Sequence, residues 1–135
     1  TGEILSSEGT VFDLTSPVVM REIFNSDSEQ IKLFGGFDHN FCIDGRGFRK
    51  AAEFIGDKTG IKLETFTDLP GIQIYSGNYL TPDRVCKDGA VYDTHHAVCF
   101  ETQFFPKSAN ISHFPSSYRK AGEKFDSTTE YKFSK

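Results

Sequence analysis

Alternation of apolar and polar positions is the strongest signal along this chain. It is clearest in Ala97-Val98-Cys99-Phe100-Glu101-Thr102-Gln103-Phe104-Phe105-Pro106. Period two puts Val98, Phe100, Thr102 and Phe104 on one side, and Ala97, Cys99, Glu101 and Gln103 on the other. The first side can pack on a core; the second presents a carboxylate and an amide. Two readings fit: an edge strand whose second face meets solvent, and a cleft wall with Glu101 aimed at a ligand. By itself the pattern favours the solvent-facing edge.

The same alternation predicts further strands. Phe37, His39, Phe41 and Ile43 share one face, with Asp38, Asn40, Cys42 and Asp44 on the other. Gly35-Gly36 before them marks a bend or bulge where backbone can approach a ligand. Residues 51–56 and 61–68 read as a hairpin joined by Asp57-Lys58-Thr59-Gly60, with Gly60 at a positive-φ site. After the turn Leu69-Pro70-Gly71, Ile72 and Ile74 face one way and Gln73 and Tyr75 the other. Val11-Phe12-Asp13-Leu14 is expected to be a short strand or extended segment, and 128–133 a last strand. Residues 18–24 give a helix candidate, and the chain from Ile31 on reads as sheet. Residues 81–94 read as a loop and 106–123 as irregular. Seven to nine short strands, little helix and no repeat predict an all-β, antiparallel β-sandwich.

Composition narrows the function classes. At 135 residues, with 37% hydrophobic and 25% charged positions, the chain can build one core. No apolar run approaches the roughly 20 residues of a membrane span, so no membrane partner is expected. A net charge of -4 with scattered Lys and Arg supplies no phosphate-neutralising stripe, so no nucleic-acid partner is expected. Cys42, Cys86 and Cys99 have neither disulfide-framework nor zinc spacing. Cys42 and Cys99, in apolar runs, are expected to be reduced, buried thiols, and the location cytoplasmic. No His, Cys or carboxylate grouping has metal spacing, and neither a metal nor a cofactor is expected. The opening Thr1-Gly2-Glu3-Ile4 has no signal-peptide character and no initiator Met, which suggests a chain cut from something longer.

Asp38, Gln73 and Glu101 each project from the polar side of an alternating strand. On neighbouring strands they would line one surface with two carboxylates and an amide, groups suited to sugar hydroxyls that both donate and accept hydrogen bonds. The stretches carrying them are Gly36-Phe37-Asp38-His39-Asn40-Phe41, then Thr67-Asp68-Leu69-Pro70-Gly71-Ile72-Gln73-Ile74-Tyr75-Ser76-Gly77-Asn78, then Cys99-Phe100-Glu101-Thr102-Gln103-Phe104-Phe105-Pro106. In order and spacing they resemble the signature stretches of the aldose 1-epimerases, the galactose mutarotases. Gly9-Thr10-Val11-Phe12-Asp13-Leu14, Asn110 with Phe114-Pro115-Ser116, Gly122-Glu123 and Tyr131-Lys132-Phe133 match as well. The resemblance covers nearly the whole chain but only the C-terminal portion of the family. It implies that residues 1–135 are the C-terminal part of a single, large galactose-mutarotase-like supersandwich domain.

Mutarotases interconvert the α and β anomers of free aldohexoses. The resemblance implies that Glu101 is the catalytic base and that Asp38 and Gln73 bind substrate hydroxyls. The family's acid, a histidine, belongs to the N-terminal part, which also contributes a second histidine and an arginine. His95 matches a non-catalytic family histidine, and His96, five residues before Glu101, tends to the opposite face, so neither is given the acid's role. His39 reads as a hydrogen-bonded core histidine. The chain departs from the family pattern at Lys107 after Pro106 and at Ala121 before Gly122, both in loops. The partners implied are a free monosaccharide and either a second polypeptide carrying the N-terminal part or the remainder of a longer molecule. Two other readings stay open: a non-catalytic carbohydrate-binding module, and a glycosidase using Asp38 and Glu101 as its carboxylate pair.

Overall fold

Helical structure precedes sheet. In a computed structural model describing residues 1–135, helix α1 spans Met20–Phe24 and helix α2 spans Glu29–Phe34. The first agrees with the helix candidate at 18–24. The second corrects the expectation that sheet begins at Ile31. Ser28 caps α2, its hydroxyl accepting from the Ile31 N–H, and Gly35 ends it in the left-handed conformation at φ 68°. Cap and stop together outweigh the alternation that suggested a strand. Residues 11–14 form no strand either. The Thr10 hydroxyl donates to Ser7 O at 2.6 Å and accepts from the Phe12 N–H. The Asp13 carboxylate accepts from both the N–H and the hydroxyl of Thr15. Such local side-chain bonds satisfy backbone groups that a ladder would otherwise need.

Six strands follow: β1 Asp38–Cys42, β2 Arg49–Ile55, β3 Lys62–Thr67, β4 Gly71–Tyr75, β5 Cys99–Gln103 and β6 Thr129–Ser134. One sheet has the order β1-β4-β5, the other β2-β3-β6. The flanking bonds Ser76 N–H to Phe37 O and Ile43 N–H to Pro70 O run β1 and β4 antiparallel. β2 and β3 pair antiparallel from Arg49↔Thr67 to Ile55↔Lys62, with a bulge between Lys50 and Ala52. The connection between them carries Gly60 at φ 69°, as its hairpin position predicts. The architecture is all-β and antiparallel, with six strands where the pattern suggested at least seven.

The chain divides into two compact units, Thr1–His39 with Tyr75–Cys99, and Asn40–Ile74 with Phe100–Lys135. In the first, Phe37 is 1% exposed. Phe12 and Phe24 meet it edge-on, at centroid distances of 6.0 and 6.3 Å.

In the second unit the two sheets meet through Phe100. Its ring lies 6.1 Å from that of Phe54 on β2, and its carbonyl accepts from the Tyr131 hydroxyl of β6 at 2.6 Å. Thr102 and Thr129 join hydroxyls across the same gap. The opposite face of β2-β3-β6 is charged: Glu64 lies among Lys50, Lys62 and Lys132 at 3.5, 3.6 and 3.9 Å. Arg49 works differently. Its guanidinium donates to the carbonyls of Ile43, Asp44, Gly47, Thr67 and Leu69, fastening the loop before β2 to the turn after β3.

The cysteines are free, but the expectation that Cys42 and Cys99 are buried is not met. Cys42 is exposed and Cys99 half-buried. Both occupy the side of their strands away from the sheet-to-sheet core, which alternation assigns and a count of apolar neighbours misses. Shelter of the thiol itself, reinforced by the Asp44 charge, still raises the Cys42 pKa.

Candidate functional site

Glu101 lies mid-way along β5, one residue after Phe100. Phe100 is buried against the second sheet, so alternation turns the Glu101 carboxylate to the other face, where it is exposed. On β4, Ile72 and Ile74 are buried and Gln73 between them is half-buried. The face that Gln73 shares with Gly71 is identified by the neighbours of Gly71. A Cβ built there would sit 2.9 Å from the Phe105 ring and 3.0 Å from Asn40 Oδ1. Phe105 has the same alternation phase as Glu101, so Gln73 and Glu101 occupy one face on adjacent strands. An amide that donates and accepts thus stands on the same face as a carboxylate that accepts.

Asp38 opens β1 and belongs to the first unit, whereas Gln73 and Glu101 belong to the second. Its backbone N–H donates to His39 Nδ1 at 3.0 Å, which makes the His39 ring an acceptor there. Phe12 and Phe34 crowd that ring, and its Nε2 is buried without a hydrogen-bond partner. Burial holds the His39 pKa below its ordinary value, opposed by the Asp38 charge. The ring is a half-buried histidine with one bonded nitrogen, close to the core role expected for it.

His95 is also structural. Its ring stacks on Phe24 at 4.0 Å, and Nε2 donates to Gly35 O at 2.7 Å. His96 accepts from the Asp93 N–H in a turn before β5. No group of three or more His, Cys, Asp or Glu side chains is arranged to hold a metal ion. No helix is long and apolar enough to cross a membrane.

Sequence pattern missed what stands behind Asp38. Gly36 does not leave room for a ligand: a Cβ there would lie 2.5 Å from Ser76 Oγ and from Asn78 Oδ1, and 3.1 Å from His95 Nε2. The space a side chain would need is filled by three polar groups. The polar run Ser76-Gly77-Asn78 was legible only as the end of a strand; nothing in its spacing signals burial.

A family model described as aldose 1-epimerase matches residues 1–132. The chain belongs to the aldose 1-epimerase family. Galactose mutarotase of Bos taurus is 42% identical to it over 137 residues, covering 99% of this chain and 38% of the relative. Galactose mutarotase of Homo sapiens is 39% identical over 135 residues with the same coverage. Aldose 1-epimerase of Escherichia coli K12 is 33% identical over 134 residues, 95% of this chain and 38% of that protein. The crystal structure of the GalM/aldose epimerase homologue from C. elegans superposes with a TM-score of 0.81 at 28% identity, covering 99% of this chain and 39% of that one. The chain therefore spans well under half the length of the curated relatives it matches.

Proposed function

We propose that this chain is the part of an aldose 1-epimerase that supplies the base and part of the sugar site for interconverting α and β anomers of free aldohexoses. The observation carrying this reading is the family match over residues 1–132, with Glu101 exposed on the face of β5 away from the core. In the forward direction the Glu101 carboxylate takes the proton of the anomeric hydroxyl while an acid protonates the ring oxygen. The C1–ring-oxygen bond breaks and C1 becomes an aldehyde carbonyl. Rotation about C1–C2 presents its other face to the C5 hydroxyl. Reclosure returns the proton from Glu101 to the carbonyl oxygen as the C5 hydroxyl gives its proton back to the acid. Each proton is restored, so a single acid–base pair turns over without a cofactor. Gln73 and Asp38 hold ring hydroxyls, keeping C1 over the carboxylate. The acid is expected from the portion of the family length that this chain does not span, and a cytoplasmic setting suits free-sugar metabolism.

Polarimetry on fresh α-D-galactose and α-D-glucose tests the reading. The chain joined to the remaining family length is expected to accelerate equilibration; the 135-residue chain alone is expected to show little or no acceleration. Unaccelerated mutarotation by the joined protein removes the proposal. Sugar binding without acceleration would instead identify a binding module, and release of an aryl leaving group from a glycoside would identify a glycosidase.

A further inference from the structure

The structure assigns Ser76 and Asn78, braced by His95, as a clamp that fixes the Phe37 peptide and so positions Asp38 for the sugar. The inference rests on the reading of Asp38 as a hydroxyl-binding residue.

Every contact involved lies within the first unit. The Phe37 N–H donates to Ser76 Oγ at 2.9 Å, and the Ser76 hydroxyl donates to Asn78 Oδ1 at 2.5 Å. Asn78 Nδ2 then donates to the Phe37 carbonyl at 2.9 Å, which also accepts from the Ser76 N–H at 3.1 Å. The circuit closes on the residue immediately before Asp38. It fixes the direction of each group, since only one orientation of the Asn78 amide satisfies both ends. Ser76 is 2% and Asn78 9% exposed, so water does not substitute for a lost partner.

Two features hold the clamp against Phe37. Gly36, at φ 146°, brings its backbone to a distance from Ser76 and Asn78 that no Cβ would allow. His95 sits in the left-handed region at φ 64°, unusual for a non-glycine residue, and its ring reaches the Gly35 carbonyl from there. Backbone strain of this kind persists only where surrounding contacts over-determine it. Here they converge on Gly35-Gly36-Phe37. The peptide between Phe37 and Asp38 carries the clamped carbonyl on one side and the N–H bonded to His39 on the other. The direction in which Asp38 leaves the backbone is therefore set by neighbours on both sides.

A group that binds substrate and transition state alike affects KM more than kcat. Asn78→Ala, Asp38→Asn and the double variant, made in the chain joined to the remaining family length, test the assignment by polarimetric kinetics on α-D-galactose. Circular-dichroism melts show that each protein is folded at the assay temperature. Each single variant is expected to raise KM about tenfold with kcat within about threefold, and the double variant to resemble Asp38→Asn alone. Ser76→Ala, which removes one hydroxyl and adds no volume, carries the test if Asn78→Ala does not fold. A double variant with multiplied effects, about a hundredfold, shows that the clamp acts elsewhere and overturns the assignment. Loss confined to kcat or to thermal stability overturns it as well. If Asp38→Asn leaves KM unchanged, the role of Asp38 falls first and the clamp's with it, a pattern distinct from failure of the clamp alone.

Discussion

Glu101 and His39 show how one strand position sets a residue's chemistry. Because Phe100 and Glu101 are consecutive, burial of the ring delivers the carboxylate to the open side of β5. Replacing that carboxylate by an amide keeps the shape and removes the group proposed as the base. Glu101→Gln in the joined protein is expected to lower kcat by about 10²–10⁴ with little change in KM, measured by polarimetry. His39 instead faces rings, and burial depresses its pKa against the opposing Asp38 charge. The unfolded chain therefore takes up a proton at His39 before the folded chain does. Stability is complete above the ordinary histidine value of about 6.5 and falls as pH drops below it. Urea midpoints at pH 7.5 and 5.5 are expected to show this loss, and a smaller one in His39→Gln. Alternation made the side of the strand legible for both residues. It could not show that His39 would accept from its neighbour's N–H, because that depends on ring rotation.

At the scale of elements, strands were more legible than the segments between them. Period two located β1, β4 and β5, where apolar and polar positions alternate, and the turn Asp57-Lys58-Thr59-Gly60 located β2 and β3 as a hairpin. The α2 segment was misread because its six residues are too few for a helical period, and its identity rests on Ser28 and Gly35. Gly35-Gly36 was correctly marked as irregular, but for the wrong reason: one residue stops a helix and the other admits two polar side chains. Gly36→Ala tests the second. With φ at 146° and Ser76 and Asn78 at 2.5 Å, the new methyl has no space. A loss of about 1–3 kcal/mol is expected in urea unfolding, whereas Gly9→Ala, at positive φ but with nothing within 4 Å, is expected to lose less.

For the whole molecule, the two faces of β2-β3-β6 have opposite characters. One carries the Glu64 and lysine lattice. The other turns Phe54, Tyr131 and Phe133 inward, yet Phe133 is 68% exposed. An edge strand with an uncovered aromatic is prone to self-association. Phe133→Ser is expected to reduce light scattering of the isolated chain, and Lys132→Ser, on the charged face, to leave it unchanged or increase it. Membership of the aldose 1-epimerase family was readable from ordered motifs; strand order was not, since it depends on pairings between residues distant in sequence.

Arg49 joins these scales. Its five carbonyl partners belong to 43–47 and 67–69, and the second group leads directly into β4 with Gln73. A rigid fork supplies donors in several fixed directions that a lysine ammonium does not reproduce. The two connections should therefore open together, as one cooperative event rather than as independent fraying loops. Native-state hydrogen exchange would reveal this in the amides of Ile43 and Leu69, which are bonded to Pro70 O and Thr67 Oγ1. Arg49→Lys should lower their protection in step, so that the lifetime of the β4 entrance is governed from a side chain on another sheet.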